Sequence, residues 1–251
     1  MITNEGHTIG LRTNNLVLEV TRRCNMSCRH CMRGEAQAVD MSEETMRKAI
    51  SMLDDIGSIS FTGGEPTLNL PLIRHTFDLC KAKYGSIPPF FIVTNGKERQ
   101  LELLRILAEA WGDNREPESC AVCLSVDDFH EPTPGPDYLR ALSFYRDEKE
   151  HELGQTDEEN RRWLIDDGRA SINRLGGSFN LLANRLYSEW DILSDSISCN
   201  IEELYISAKA EIMASCDYSY EGTGPYNYIC DLDELPDLLG TELKRQLKRI
   251  A

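Results

Sequence analysis

The first half of this 251-residue chain alternates short strand-like runs with helical patterns, and this alternation most constrains its fold. Each run is rich in β-branched and aromatic residues, whereas the segments between them carry apolar residues at helical spacing. Strands that alternate with helices form parallel βα units, so the sequence predicts an α/β fold. The four predicted strands are residues 16–21, 58–62, 90–94 and 121–126.

The second half is less regular, and its predicted elements are shorter. We expect a helix over residues 138–149, a solvated charged segment over residues 147–160 and a helix over residues 161–175. A core over residues 12–195 would then be followed by a C-terminal extension over residues 196–251. A fifth strand is predicted at residues 179–182, near the end of the core. The extension is predicted to contain a β-hairpin of residues 201–207 and 211–215 and a closing helix from Leu235.

An unusual loop follows each of the four predicted strands. Parallel βα folds bind ligands at the carboxyl ends of their strands, so we expect these loops to converge on one face. Gly63 and Gly64 lack a Cβ, which lets the backbone approach a ligand closely or simply make a tight turn. The loops are residues 24–31, 63–66, 94–96 and 125–127.

The first of these loops contains Cys24, Cys28 and Cys31 in the spacing C-x3-C-x2-C. Iron–sulfur clusters are normally held by four thiolates, so a trio leaves one iron able to bind a ligand that is not protein. The alternative is a zinc site without its fourth ligand in the sequence, although zinc sites usually carry paired C-x2-C knuckles. No signal peptide or long apolar segment is recognised, so we expect nine reduced cysteines in a cytoplasmic protein.

The cysteine spacing, together with Gly-Gly-Glu at the end of the next strand, resembles the signature of the radical S-adenosylmethionine (SAM) superfamily. The resemblance covers roughly residues 15 to 130. It implies a partial (βα)6-type parallel barrel, followed here by a C-terminal β-hairpin and helix. It also implies that Cys24, Cys28 and Cys31 bind a 4Fe-4S cluster whose open iron chelates SAM.

Further site residues follow from the same resemblance, position by position. Gly63, Gly64 and Glu65 match the motif that contacts the methionyl amino group of SAM. His30 stands where the family commonly places an aromatic ring near the adenine; the alternative is a surface histidine in a polar loop. The positions that match contacts to the ribose or carboxylate of SAM are Thr94, Asn95, Ser125 and Asp127. The alternative for Asp127 is that its side chain caps the turn that follows it.

The implied activity is enzymatic. One electron from the cluster cleaves SAM to methionine and a 5′-deoxyadenosyl radical, which abstracts hydrogen from a substrate. The electron would come from a reductant such as a flavodoxin or ferredoxin. A peptide or protein side chain is the expected substrate. A glycyl-radical activating enzyme is the runner-up, and a non-enzymatic zinc or iron–sulfur protein is the third reading.

Three later cysteines, Cys199, Cys216 and Cys230, flank the predicted hairpin. Their order resembles the start of the auxiliary-cluster domains of peptide-modifying members of the superfamily. The match is incomplete, because a dense later cysteine group is absent and Ala210 replaces the expected hairpin glycine. A second iron–sulfur cluster is therefore a hypothesis. Free cysteine packs as a small hydrophobic residue. We therefore expect Cys80, Cys120 and Cys123 to pack in the core.

The formal net charge of −15 limits the classes of partner that we expect the chain to bind. Binding a phosphate backbone requires clustered Lys and Arg, so we expect no nucleic-acid partner. No window approaches the roughly 20 apolar residues of a membrane span, so we expect no membrane partner either. Acidic surfaces usually aid solubility, although this one could also attract a basic peptide.

Overall fold

The computed structural model describes residues 2–4, 7–125, 130, 137–146, 164–177, 185–193, 196–221 and 227–250. These residues form one mixed sheet of nine strands flanked by helices. None of the helices in these ranges combines the length and the apolar character needed to cross a bilayer.

Five neighbouring strands, which include one edge of the sheet, run parallel to one another. They are β2 (His7–Thr21), β3 (Asp55–Gly63), β4 (Phe90–Thr94), β5 (Ala121–Leu124) and β7 (Ile197–Ile206). Their order across the sheet is β5, β4, β3, β2, β7. Each of the first four covers most or all of a predicted strand. The predicted α/β class, with the strands of a partial parallel barrel, is confirmed.

Three helices connect the parallel strands and pack on the sheet: α1 (Glu43–Met52), α2 (Leu70–Tyr84) and α3 (Gln100–Gly112). Ser42 caps α1, because its side chain accepts a hydrogen bond from the Thr45 N–H at 3.0 Å. Gly85 ends α2 with a φ of 79°, the left-handed conformation typical of such caps. The apolar faces of the helices are buried, notably at Met46, Ile50, Ile73, Phe77, Leu103 and Leu107.

The strand β7 lies beside β2, a position that the sequence pattern does not indicate. The two strands pair from Ile9 opposite Ile197 to Leu18 opposite Ile206. The predicted hairpin is confirmed, since β7 pairs antiparallel with β8 (Glu211–Met213). The predicted division between residues 195 and 196 stays a prediction, although strands from both sides of it share this sheet.

The remaining elements extend the sheet or cover its edge. Ala210, in the hairpin turn, has a φ of 65°, so an alanine holds the conformation that glycine adopts most easily. The predicted closing helix is confirmed as Leu235–Ile250, with Leu239 and Leu243 buried. The other strands, all antiparallel to their neighbours, are β1 (Ile2–Asn4), β6 (Ser188–Ile192) and β9 (Tyr228–Asp231).

Two predicted helices are wrong as far as the described residues reach. The segment after residue 137 forms only a 3-10 turn, Tyr138–Ala141. It then runs along β5, where the Val122 N–H donates to the Phe144 carbonyl, because Phe144 packs against the buried Phe90 ring. Residues 164–167 are not helical, and the helix there is limited to Gly168–Ile172.

The reason for this late start is a cap. Asp167 accepts a hydrogen bond from the Gly168 N–H at 2.7 Å and so begins the helix at the glycine, where an interruption was expected. The predicted charged segment 147–160 and the fifth strand at 179–182 lie outside the described residues, as does Asp127.

Candidate functional site

A cavity of about 620 Å³ opens at the carboxyl ends of the parallel strands and continues along the inner face of the sheet. This volume lies within the usual range for sites that bind small molecules. Each of the four unusual loops contributes at least one residue to its wall. Of the sequence-predicted site residues, the cavity is lined by Cys24, Cys28, His30, Cys31, Gly63, Gly64, Glu65, Asn95 and Ser125.

The cysteine loop is held by the short helix Gly168–Ile172. The Arg169 N–H donates to the Cys31 carbonyl, and the Arg169 side chain donates to the Cys28 carbonyl, both at 2.9 Å. A Cβ on Gly168 would lie 2.3 Å from the Met32 carbonyl oxygen, so only glycine lets the helix approach this closely. Sequence reasoning missed this support, although the glycine that looked like an interruption was its signal.

Gly63 and Gly64 allow the turn after β3 to pack against the backbone that leads into the cysteine loop. A Cβ on Gly63 would lie 2.0 Å from the Thr21 carbonyl oxygen, and Gly63 has a φ of 142°. The Gly64 N–H donates to that same oxygen at 2.9 Å, and a Cβ on Gly64 would meet the Arg23 carbonyl oxygen at 2.3 Å. The glycines therefore fix one loop against another while also facing the cavity.

Glu65 joins two strand ends through its buried carboxylate. Its Oε1 accepts hydrogen bonds from the Thr67 hydroxyl at 2.7 Å and from the Thr94 hydroxyl at 2.6 Å. Its Oε2 accepts a hydrogen bond from the Asn95 N–H at 2.8 Å. Charge-assisted hydrogen bonds of this kind are stronger than neutral ones, so Glu65 holds the ends of β3 and β4 in register. The Thr94 hydroxyl is buried and used by this contact.

Asn95 connects the end of β4 to the cysteine loop. Its side-chain amide donates to the Asn25 side-chain oxygen at 2.8 Å and lies 4.0 Å from the Cys24 sulfur. Lys97 adds a second link, because its ammonium donates to the Asn25 backbone carbonyl at 2.7 Å. The loop is thus tied to three neighbouring segments and not only to its own strand.

His30 lies on the cavity wall beside a second histidine that the sequence did not single out. The ring centroids of His30 and His130 are 4.6 Å apart in an edge-to-face arrangement. Both rings line the cavity. Two imidazoles on its wall offer flat surfaces and nitrogen atoms to a bound ligand.

A buried cluster of charged and aromatic side chains lies behind the cysteine loop, and sequence reasoning missed it completely. The Glu19 carboxylate pairs with Arg22 at 2.5 Å and accepts hydrogen bonds from the hydroxyls of Tyr205 at 2.6 Å and Tyr218 at 2.8 Å. Arg33, two residues after Cys31, contacts the same group, with its guanidinium 4.6 Å from the centre of the Tyr218 ring. We name Glu19, Arg22, Arg33, Tyr205, Tyr218 and Tyr220 the arginine–tyrosine cluster.

Electrostatics explain why two arginines are tolerated in this cluster. Burial by itself lowers the pKa of Arg22, but the adjoining Glu19 carboxylate more than offsets that effect, so the pKa is raised. Burial also lowers the pKa of Arg33, but the surrounding tyrosines and Glu19 more than offset that effect, so both guanidinium groups are charged. Buried charges are stable only when paired and hydrogen-bonded, which Glu19 and the tyrosine hydroxyls provide.

The residues on the cavity wall fit a cubane iron–sulfur cluster. Each cysteine of such a cluster binds its own iron, so its three protein ligands must face one common space, and all three cysteines line this cavity. Among the described residues, no three His, Cys, Asp or Glu side chains converge on one point in the manner of a single-ion site. Burial raises the pKa of the Cys24 thiol, so metal binding would displace its proton.

The three later cysteines are not brought together. Cys199 pairs opposite Leu11 near the start of β7, whereas Cys230 pairs opposite Ile212 of the hairpin near the other end. Seven strand residues separate these levels, which corresponds to roughly 23 Å. Cys199 and Cys230 are buried in the core, and only Cys216 of the three lines the cavity.

The fold and the site together define an α/β protein with a cysteine-lined cavity at the carboxyl ends of its parallel strands. Residues 18–151 match the family model of the radical SAM superfamily. The chain therefore belongs to the radical SAM superfamily, a group of enzymes that use a 4Fe-4S cluster and SAM. At the level of the family, the predicted class and the enzymatic reading are confirmed.

Two curated relatives match parts of the chain. An uncharacterised protein of Methanocaldococcus jannaschii is 40% identical over 75 residues, which are 29% of this chain and 26% of that protein. GTP 3′,8-cyclase of Chlorobaculum tepidum is 38% identical over 95 residues, which are 35% of this chain and 28% of that protein. The matched segments thus span little more than a quarter of the length of either relative.

Two solved structures are similar in part. Native anSMEcpe with bound AdoMet and Kp18Cys peptide has a TM-score of 0.37 and 22% identity, covering 47% of this chain and 32% of that chain. Streptococcus suis SuiB bound to the precursor peptide SuiA has a TM-score of 0.33 and 20% identity, covering 45% and 24%. The family assignment does not depend on them.

Proposed function

We propose that this chain binds a 4Fe-4S cluster through Cys24, Cys28 and Cys31 and SAM in the adjoining cavity. The observation that carries the proposal is that the cysteine trio and the Gly-Gly-Glu turn line one cavity at the carboxyl ends of the strands. When bound, the cofactor pair supplies a 5′-deoxyadenosyl radical that abstracts a hydrogen atom from the substrate.

The chain's own residues have separate tasks in this proposal. Gly63 and Gly64 hold the cysteine loop at its correct place and offer backbone to the methionyl end of SAM. His30 packs against the adenine, while Asn95 and Ser125 offer polar groups to the ribose or carboxylate. Thr94 acts through Glu65 as a positioning residue, because its hydroxyl is already donated to that carboxylate. Asp127 stays among the proposed ribose contacts.

A peptide or protein side chain is the proposed substrate. Support comes from the hairpin that follows Cys199, as in peptide-modifying members of the family, and from the net charge of −15, which would attract a basic peptide. The proposed reductant is a flavodoxin or ferredoxin. None of the nine cysteines, all within the described residues, forms a disulfide, which supports a reducing, cytoplasmic location.

A nucleotide is the second candidate substrate, favoured by the 38% identity to a GTP 3′,8-cyclase over 95 residues. The two candidates are separated by offering either GTP or peptides to the loaded enzyme. A product formed from GTP would favour the nucleotide reading, and a modified peptide would favour the first.

The proposal includes a single iron–sulfur cluster for each chain. The separation of Cys199 from Cys230 supports one cluster for each chain, held by the first trio alone. About four irons for each chain are expected after anaerobic reconstitution. Close to eight irons, reduced to about four by Cys216→Ala, would instead favour a second cluster at the later cysteines.

The experiment that tests the proposed activity measures 5′-deoxyadenosine after reconstitution with iron and sulfide and addition of dithionite and SAM. Wild-type protein is expected to form it, and Cys28→Ala is expected to form none because one iron loses its ligand. Cys80→Ala is the matched control, since Cys80 is buried in α2 away from the cavity. An iron-loaded wild type that never cleaves SAM would contradict the proposal.

A further inference from the structure

The cavity extends well beyond the cofactor-binding loops. Six residues of extended strand separate Asn15 from Thr21 at the end of β2, a distance of roughly 20 Å. Asn15 pairs with Glu203 on β7 and with Ser58 on β3, so the three residues form one row across the sheet. Asn15 and Glu203 both line the cavity. This row is therefore the end of the cavity farthest from the cysteine trio.

The polar groups of this row are organised around Asn15. The hydroxyls of Ser58 and Ser60 both donate to its side-chain oxygen at 3.1 Å. The amide side of Asn15 is thereby left to interact with the Glu203 carboxylate on the neighbouring strand. The carboxylate is held in place and still exposed on the cavity wall.

No cation of the described residues neutralises Glu203 by an ion pair. The two arginines of the same cavity are engaged elsewhere, Arg33 in the arginine–tyrosine cluster and Arg169 with the Cys28 carbonyl and Glu35. Burial raises the pKa of Glu203, and the neighbouring Asp217 and Glu202 add to that effect. A bound cation would offset both the loss of hydration of the Glu203 carboxylate and its repulsion from Asp217 and Glu202.

The wall between this carboxylate and the cofactor loops is largely apolar. Val17, Phe91 and Val93 line it, and Phe91 keeps 38% of its surface exposed in a residue type that is usually more buried. An aliphatic stem can pack along such a wall while its charged end reaches the carboxylate.

We propose that Glu203, oriented by Asn15 on the neighbouring strand, binds the ammonium or guanidinium group of a substrate side chain with an aliphatic stem. This inference rests on the proposed function and names its substrate class: a peptide residue with a cationic end, such as lysine or arginine. Glu203 is then the residue that determines specificity, and the hydrogen abstracted lies on the part of the substrate nearer the cysteine trio.

The test uses cluster-loaded protein with SAM and measures equilibrium binding of Nα-acetyl-lysine methylamide by calorimetry. The matched probe is Nα-acetyl-norleucine methylamide, which has the same stem without the charge. We expect wild-type protein to prefer the lysine probe by about tenfold or more, as for a partly buried charge pair. Glu203→Gln is expected to abolish this preference, and Glu203→Asp to retain most of it.

Glu202→Gln is the matched control, because Glu202 neighbours Glu203 on β7 but does not line this cavity. It should leave most of the preference in place, because the Glu202 charge acts on Glu203 only from a distance and does not contact the probe. Equal binding of both probes, no binding of either, or a preference that survives Glu203→Gln would overturn the proposal. So would tighter binding of GTP than of the lysine probe if that binding also depends on Glu203.

A separate readout distinguishes failure of this inference from failure of the proposed function. If 5′-deoxyadenosine forms in a Cys28-dependent manner but the lysine preference is absent, only the inference about Glu203 is wrong. If the preference is present and SAM is never cleaved, the cation site stands and the proposed activity fails.

Discussion

The cysteine loop is held on two sides by opposite means. On one side the Gly63–Gly64 turn packs backbone against backbone, with no room for a Cβ. On the other side the arginine–tyrosine cluster holds the loop's end through buried side chains, including Arg33 and Tyr205. The first support depends on residues that are small, and the second on residues that are large and charged. A sequence motif therefore indicates only one of the two supports of the cysteine loop, the glycine turn, and not the arginine–tyrosine cluster.

The largest effect is expected on the glycine side. Gly63→Ala places a Cβ 2.0 Å from the Thr21 carbonyl oxygen and forces an unfavourable φ, so the turn must move away from the cysteine loop. We expect a loss of at least about 4 kcal/mol in the free energy of unfolding, together with failure to retain iron. Chemical denaturation and iron analysis measure both.

Gly85→Ala is the control for that variant. Gly85 also has a positive φ, but nothing lies within 4 Å of the position of its Cβ. Its cost should be only about 1–2 kcal/mol, with iron retained. Equal losses for the two variants would mean that close approach of the two loops is unimportant.

The next effect concerns the charged side. Glu19→Gln removes the carboxylate that pairs with Arg22 and accepts from two tyrosines. Among the described carboxylates, the buried guanidinium groups would then keep only the longer contact of Arg22 with Glu211, at 3.6 Å. We expect a loss of about 3–5 kcal/mol in the free energy of unfolding. Glu109→Gln, which breaks the exposed pair with Arg74, should change it little. A small loss for Glu19→Gln would show that the cluster does not stabilise the loop.

A smaller effect is expected at the carboxylate that joins the strand ends. Glu65→Gln keeps one oxygen for Thr67 and Thr94 but turns an amide towards the Asn95 N–H. We expect a loss of about 2 kcal/mol, between the costs of a neutral and a charged hydrogen bond. Denaturation of the cluster-free protein measures it. A loss as large as that of Gly63→Ala would make the side chain, and not the glycines, the main support on this side.

The smallest effect concerns a thiol outside both supports. Burial raises the pKa of Cys80 to about 12, compared with an ordinary value of 9.0. Above pH 9 the unfolded chain loses this proton while the native protein keeps it, so stability falls as pH rises. Cys80→Ala should reduce the fall in unfolding free energy between about pH 8 and pH 10 by about 1 kcal/mol. An unchanged pH slope would contradict this assignment.

The sequence predicted the parts of the structure that depend on neighbours in the chain. The first four parallel strands, the hairpin and the closing helix follow from local periodicity and turn residues. The site loops follow from the rule that parallel strands present their carboxyl ends on one face. Ser125 and Asn95 reach the cavity for that reason.

What the sequence could not predict depends on pairs far apart in the chain. Tyr205 and Tyr218 reach Glu19 from 186 and 199 residues away, and no periodicity indicates such contacts. The place of β7 beside β2 has the same origin, because strand order across a sheet is a tertiary choice. The helix expected over residues 161–175 was wrong because Asp167 caps it at Gly168, where the cysteine loop packs.

The central claim is that the trio holds a cluster with one iron open to the cavity. The most direct measurement is the electron paramagnetic resonance spectrum of reconstituted, dithionite-reduced protein before and after addition of SAM. The account predicts a reduced-cluster signal whose g values change when SAM is added, and no such signal in Cys28→Ala. A signal that saturating SAM leaves unchanged would contradict it, because the open iron would then not be reached from the cavity.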